Sequence, residues 1–555
     1  MSMQRRFFTF TALALLFAGC ATSLTGPDGK AISEARKSLN LAKRNQSTPA
    51  VAAGYYLDAA NIASKTVADS SKVVEADSTK VYNEASRELA LMLRQTPELW
   101  NRTETLRSPR FTYHLHFASG SHETGVWDPA YFDFFRRRNQ VKNTKFKLED
   151  ETKGLGGVLV GVSKPNDPRK YFYPKVGVAM PVTSTLEFAA NGDKSTREVT
   201  LTLIDPTRRT TVRVDGKTFP LAADFTAPLA YYPDPRLLGF EAMMRPAGYI
   251  KQAGIYLLEP YDPDRIPVLF VHGLISAPQM WFPTINAVES DPVLRGKFQY
   301  WVFGYPSGDP IAFSALQLRQ SLDQLYRTYP KTKNMVVIGH SLGGLCAQMQ
   351  VINTGRTLWD GIFQKDADMF YKKIPADNVV KQSLIFQANP HIKDVLFICT
   401  PHLGSYLATG VVGDVGIWLI KLPGAVLSKV LGGIGNGLEA VSGLSYFKSP
   451  DSIKGLSPKS PLLLSMNTLG IQTPFSSIVG NRGRPGPLND SSDGVVPYWS
   501  SHLPGAQSEV VVPYPHGCCT EPKTIDEIKR FMHIYLKNPP SLSPYQKTRK
   551  PNSQP

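Results

Sequence analysis

Apolar and polar residues recur with different periods along this chain, and the changes of period divide it. From residue 30 to about 105, Ala and Leu repeat at helical spacing among Lys and Glu, which predicts helices with one dry face. Tyr56-Leu57-Asp58-Ala59-Ala60 is echoed by Tyr82-Asn83-Glu84-Ala85-Ser86, an interval of 26 residues. That is shorter than the tetratricopeptide period, so a helical hairpin bundle is expected. From about 108 to 248 the period falls to two, as in Val199-Thr200-Leu201-Thr202-Leu203-Ile204 and Thr211-Val212-Arg213-Val214. With Asp205-Pro206 and Asp215-Gly216 as turns, this predicts a small antiparallel sandwich. Beyond 251 the apolar runs become continuous: Pro267–Val271, Met335–Ile338, Phe475–Gly480 and Glu509–Val512. These predict buried strands of an α/β domain with a mostly parallel sheet, flanking helices and a cap. The expected divisions are 1–20, 21–107 (helical), 108–250 (β-rich), 251–540 (α/β) and a basic tail, 541–555.

The strand Met335–Ile338 runs into Gly339-His340-Ser341-Leu342-Gly343 and then a helix-forming stretch, Leu345 to Gln350. A serine on a strand-to-helix turn between glycines is the nucleophile elbow of the α/β-hydrolase fold, where larger side chains would block the close backbone approach. Ser341 is therefore the expected nucleophile of acyl transfer. The strand Pro267–Val271 ends in His272-Gly273-Leu274. The loop after that strand and the residue after the nucleophile supply the oxyanion hole in such folds, which points to the backbone N–H groups of Leu274 and Leu342.

In this fold the acid and then the base follow the serine along the chain. Asp493, in the loop after the strand Phe475–Gly480, is the expected acid, with Asp490 its nearest competitor. His516, after the short strand at Glu509–Val512 and before the amphipathic helix Ile525–Leu536, is the expected base. His272, His340 and His402 are expected to brace the site. His502 follows Asp493 too closely to be the base. His114 and His116 share one face of a strand, and a solvated face is expected there over a metal site.

The His-Gly loop, Gly339-His340-Ser341-Leu342-Gly343-Gly344, Thr400-Pro401-His402-Leu403-Gly404-Ser405 and Asp493-Gly494-Val495-Val496 together resemble the bacterial lipases and the related GPI inositol-deacylase-like hydrolases. The resemblance spans about residues 255 to 538 and is specific for the fold, not for the substrate. The calcium-binding bacterial lipases carry an aspartate just after the catalytic histidine. Here Gly517, Cys518 and Cys519 follow His516, so no calcium site, other metal or cofactor is expected.

Arg5 and Arg6, the apolar run Phe7 to Phe17 and then Ala18-Gly19-Cys20 resemble a bacterial lipoprotein signal. Cys20 would be lipidated and Ala21 would direct the chain to the outer membrane, facing the periplasm. No other run reaches an uninterrupted transmembrane length, which leaves the lipid as the expected anchor. Four further cysteines are too few for a disulfide-built scaffold. Cys518 and Cys519 could bridge each other, or one of them could pair elsewhere. The net charge of +16 is dispersed, without zinc, helix-turn-helix or RNP patterns, so nucleic acid is not an expected partner. An anionic membrane surface or wall polymer suits such a charge better. Residues 406–447, with Val411, Val412, Trp418, Leu419, Val426 and Leu427, are too interrupted to span a bilayer and too apolar to lie bare in water, so a cap or mobile lid is expected.

These observations lead to an expected ester hydrolase of lipids with the triad Ser341, His516 and Asp493. An acyltransferase using the same residues, and a non-catalytic envelope scaffold with a hydrolase fold, are the alternatives.

Overall fold

The computed structural model describes residues 26–69, 72–100, 103–119, 127–141, 146–167, 170–191, 193–232, 253–406 and 455–538. Cys20, the tail and positions 407–447 of the expected lid lie outside these. Among the described residues no helix is long and apolar enough to cross a membrane. The chain forms two compact units. One comprises the described parts of Met1–Gln140, Glu151–Gly161 and Pro181–Asp224, and the other those of Val141–Asp150, Val162–Met180 and Phe225–Pro555.

The first unit opens with three helices, α1 (Pro27–Arg44), α2 (Pro49–Asp69) and α3 (Lys72–Gln95). Proline at the start of α1 and of α2 costs no hydrogen bond, because the first helical N–H groups have no intrahelical acceptor. On α1 the buried residues Ile32, Ala35, Leu39 and Ala42 form one stripe, as the spacing predicts. The two echoed segments fall on α2 and α3, where Tyr56 and Tyr82 are both buried.

Ten strands follow among the described residues: β1 (Glu104–Arg107), β2 (Thr112–Ser119), β3 (Phe134–Arg136), β4 (Glu151–Thr152), β5 (Gly157–Ser163), β6 (Val178–Asn191), β7 (Asp193–Ile204), β8 (Thr211–Val214), β9 (Lys217–Pro220) and β10 (Ala223–Asp224). They do not make the antiparallel sandwich expected from the alternation. Six form one mixed sheet in the order β1-β2-β7-β6-β5-β3, in which β2 and β7 run parallel. Its dry face is covered by helices. The Tyr82 hydroxyl on α3 donates to the Leu186 carbonyl and accepts from the Leu186 N–H, both at 2.8 Å, and Ser86 Oγ donates to the Ser184 carbonyl at 2.8 Å. The Asp215-Gly216 turn does close a hairpin, β8 with β9, with both residues at positive φ (48° and 78°).

Among the described residues the second unit is built on seven strands, β11 (Gly254–Leu257), β12 (Ile266–Val271), β13 (Phe298–Gly304), β14 (Met335–His340), β15 (Ile392–Ile398), β16 (Phe475–Gly480) and β17 (Ser508–Val512), in the order β11-β13-β12-β14-β15-β16-β17. Every pair is parallel except β11 with β13. β13, β14, β15 and β16 are buried along their whole length, which is why β14 reads as a continuous apolar run; β13 buries Gln299 and β15 buries Lys393 and Asp394 within otherwise apolar strands. The chain adds β13 on one side of β12 and then returns to place β14 on the other, so the strand order reverses between β12 and β14. Loops leaving the carboxyl ends of two such strands diverge and open a crevice. This is an α/β fold of the α/β-hydrolase type.

Candidate active site

That crevice is where β12 and β14 deliver His272-Gly273-Leu274 and Ser341. Ser341 has φ 55° and ψ −125°, a strained conformation held by its N–H donating to the Ile398 carbonyl at 2.9 Å and its own carbonyl accepting from Gly344 N–H at 2.9 Å. The flanking glycines are required by contact. A Cβ on Gly339 would lie 2.7 Å from Gly344 Cα, and one on Gly343 would collide with the carbonyls of Val271 and His272. A Cβ on Gly273 would sit 3.0 Å from Ser341 Cβ, so the His-Gly loop lies directly against the serine.

His516 meets Ser341, and Asp493 meets His516. His516, in the loop after β17, places Nε2 2.9 Å from Ser341 Oγ and Nδ1 2.7 Å from Asp493 Oδ2. Asp493 is 2% exposed, and its Oδ1 accepts from the N–H groups of Val495 (2.8 Å) and Val496 (2.7 Å). Burial pushes its carboxyl upward, but the hydrogen bond and charge of His516 and these two N–H donors outweigh it and hold the group below the usual carboxylate range. Asp490 lies exposed on the 3-10 turn Leu488–Asp490 and does not reach the site.

The other histidines divide as follows. His340 donates from Nε2 to the His516 carbonyl at 2.8 Å, His402 Nδ1 meets Gln348 Oε1 at 2.8 Å, and His272 Nδ1 meets the Gly273 carbonyl at 2.9 Å. Burial lowers His272 to about 4 and His340 and His402 to about 3, so all three are neutral braces. His502 pairs with Glu509 at 2.7 Å. In the other unit, His114 and His116 flank Glu198 at 3.4 and 2.7 Å, a carboxylate partner that arrives through the parallel pairing of β2 with β7.

Leu342 opens the helix Leu342–Gln348, so its N–H has no intrahelical acceptor. In the facing loop Ile275 N–H donates to Ser307 Oγ at 3.1 Å and Tyr305 Oη donates to the His272 carbonyl at 2.7 Å, fixing the backbone around Leu274. Beside this loop is a cavity of about 250 Å³ whose walls include Tyr232, Tyr256, Phe282, Val302 and Tyr305. Sequence reasoning missed the braces of the Asp493 loop. Arg482 Nε donates to the Ser492 carbonyl at 3.1 Å and Ser405 Oγ donates to the Val495 carbonyl. Ser405 had a signal, as the last residue of the Thr400–Ser405 motif; Arg482 had none. Among the described residues, Cys399, Asp493 and His516 are one group whose potential metal-ligand atoms lie within 4.8 Å of one another, although Asp493 and His516 already bond each other.

No family model matches the sequence, and no curated protein matches it. Solved structures similar to it include the mature form of a Bacillus licheniformis lipase (17% identity over 50% of this chain and 97% of that one, TM-score 0.28). They also include a Pyrococcus furiosus esterase (17%, 50% and 84%, TM-score 0.26) and lipase 1 from Pelosinus fermentans (12%, 49% and 98%, TM-score 0.31). Likeness this distant carries no argument about chemistry, which rests on the site itself.

Proposed function

We propose that the α/β unit hydrolyses carboxylic esters through an acyl-enzyme on Ser341. The observation that carries this is the relay from Asp493 through His516 to Ser341 Oγ, with hydrogen-bond distances of 2.7 and 2.9 Å. In this reading His516 takes the Ser341 proton as Oγ attacks the ester carbonyl, then gives it to the departing alkoxide. Asp493, kept ionised, fixes the tautomer and balances the imidazolium. The N–H groups of Leu274 and Leu342 receive the developing oxyanion, one such donor being worth about 3–4 kcal/mol in the transition state. Water, activated by the same histidine, releases the acid.

Esters with an apolar acyl part fit the aromatic cavity beside the His-Gly loop, and lipid esters are the class we favour. We further propose that a lipid on Cys20 holds the protein at a membrane. The test is fluorophosphonate labelling of the purified chain followed by peptide mass spectrometry, with a chain-length series of nitrophenyl esters. The label is expected on Ser341 alone, and Ser341→Ala is expected to lose labelling and turnover together. Labelling that persists in Ser341→Ala would overturn the assignment.

A further inference from the structure

Among the described residues four cysteines lie in the second unit, all buried and none bridged. Two of them, 119 positions apart in sequence, have been brought into contact: Cys399 Sγ and Cys518 Sγ are 3.5 Å apart. Each sits on a fixed piece of backbone. Cys399 closes β15 and is tied to β16 by its N–H donating to the Ile478 carbonyl at 2.9 Å. Cys518 opens the 3-10 turn Cys518–Thr520, two residues beyond His516.

We propose that Cys399 and Cys518 are a disulfide-forming pair that staples the loop carrying His516 to the end of β15. The competing vicinal bridge, Cys518 to Cys519, fits less well. Adjacent Cα atoms across a trans peptide are about 3.8 Å apart, below the usual range for a disulfide, roughly 4.4–6.8 Å. Cys519 is also held in its turn by Thr284 Oγ, which donates to the Cys519 carbonyl at 2.8 Å. Cys346 is committed elsewhere, on the buried helix that follows Ser341.

The oxidant is a small-molecule or protein disulfide. Cys518 thiolate attacks one of its sulfurs, forming a mixed disulfide and releasing one thiol. Cys399, losing its proton to solvent, then attacks the Cys518 sulfur and releases the second thiol. Two protein thiols are thus oxidised and one oxidant disulfide is reduced to two thiols. Because both sulfurs are buried in the folded chain, the exchange belongs to folding, before the His516 loop closes over them.

The consequence follows from position. A bridge closing so long a loop restricts the unfolded chain strongly. Its folded-state effect is to tie the strand end beside Asp493 to the turn that follows His516.

The experiment is to unfold the full chain and refold it in a glutathione redox buffer, digest it without reduction and identify linked peptides. Melting temperatures of the oxidised and reduced forms are measured in parallel. The expected result is a Cys399–Cys518 linked peptide, absent in Cys399→Ser and in Cys518→Ser but retained in Cys519→Ser. The melting temperature of the wild-type chain should rise by roughly 5 °C on oxidation. A Cys518–Cys519 linkage, or all four thiols free to alkylation after oxidative refolding, would overturn the proposal, as would an unchanged melting temperature. The linkage is read in the wild-type chain and needs no ester turnover, so failure of the hydrolase reading would show separately, as absent Ser341 labelling.

Discussion

His340 Nε2 donates a hydrogen bond to the backbone carbonyl of His516 at 2.8 Å, so the residue just before Ser341 holds the main chain of His516. The His516 N–H is meanwhile taken by the Asp493 carbonyl at 3.0 Å. Both backbone polar groups of His516 are therefore committed, one to His340 and one to the Asp493 loop. Burial lowers His340 to about 3, which keeps it neutral, and the bond to a carbonyl places its proton on Nε2.

His340→Ala should therefore act through His516. A displacement of about 1 Å at a reacting group can cost on the order of a hundredfold in rate. The expected outcome is a fall in kcat of roughly ten- to a hundredfold with KM little changed, a parallel fall in fluorophosphonate labelling rate, and partial rescue in His340→Gln. A loss confined to KM would mean that His340 serves binding instead.

The two candidate acids are separated by environment. In Asp493→Asn, the amide oxygen is expected to take over the N–H bonds of Val495 and Val496, leaving the NH₂ group facing His516 Nδ1. That arrangement forces the proton onto Nε2, where it can no longer accept from Ser341. A loss of about 10⁴ in kcat is expected, by analogy with a serine protease triad. Asp490 is exposed, so Asp490→Asn should stay within about twofold. Steady-state kinetics on one soluble ester, with both variants checked for folding by circular dichroism, decide between them.

How much of this was legible beforehand varies with the kind of signal. That Ser341, Asp493 and His516 come together could be read because continuous apolar strands such as Met335–Ile338 and Phe475–Gly480 mark a buried parallel sheet, whose loops must emerge at one edge. The first unit was harder. Alternation along Val199–Ile204 records that one face of a strand is dry, but not whether a sheet or a helix covers it, and here a helix reaches the neighbouring strand β6 through Tyr82 and Ser86. Nor could sequence set Glu198 between His114 and His116, since β2 and β7 pair across most of that unit's strands. The contact of Cys399 with Cys518 is likewise tertiary, and the sequence left open whether Cys518 and Cys519 face each other or a distant cysteine.

Tyr82 offers a test of how α3 is held to its sheet. Its hydroxyl satisfies both the N–H and the carbonyl of Leu186 on β6, and the side chain is fully buried. Tyr82→Phe keeps the ring but orphans two backbone groups, each costing about 1–3 kcal/mol where water cannot enter. The first unit should unfold at lower denaturant concentration while fluorophosphonate labelling of Ser341 in native buffer stays unchanged. Unchanged denaturation would mean that this bond contributes nothing net.

Asp309 makes stability depend on pH in a direction that can be worked out. It is 1% exposed, one of its carboxylate oxygens has no hydrogen-bond partner among the described residues, and burial raises its carboxyl to about 7. In the unfolded chain an aspartate titrates near 3.9, so between about pH 4 and 7 the folded state binds more protons than the unfolded one. Stability must then fall as pH rises through that window, and the penalty is complete above it. Asp394, also raised by burial to about 7, pulls the same way, so the wild-type slope alone does not identify Asp309. Asp309→Asn isolates it by removing one ionisation while keeping the shape. The variant should match the wild type near pH 4 and exceed it at pH 8 by about 2–4 kcal/mol, since each tenfold difference in acidity between the folded and unfolded chain is worth at most about 1.4 kcal/mol. Urea unfolding at both pH values measures the difference directly. A variant that is equally or less stable at pH 8 would show that Asp309 finds solvent or a partner when ionised.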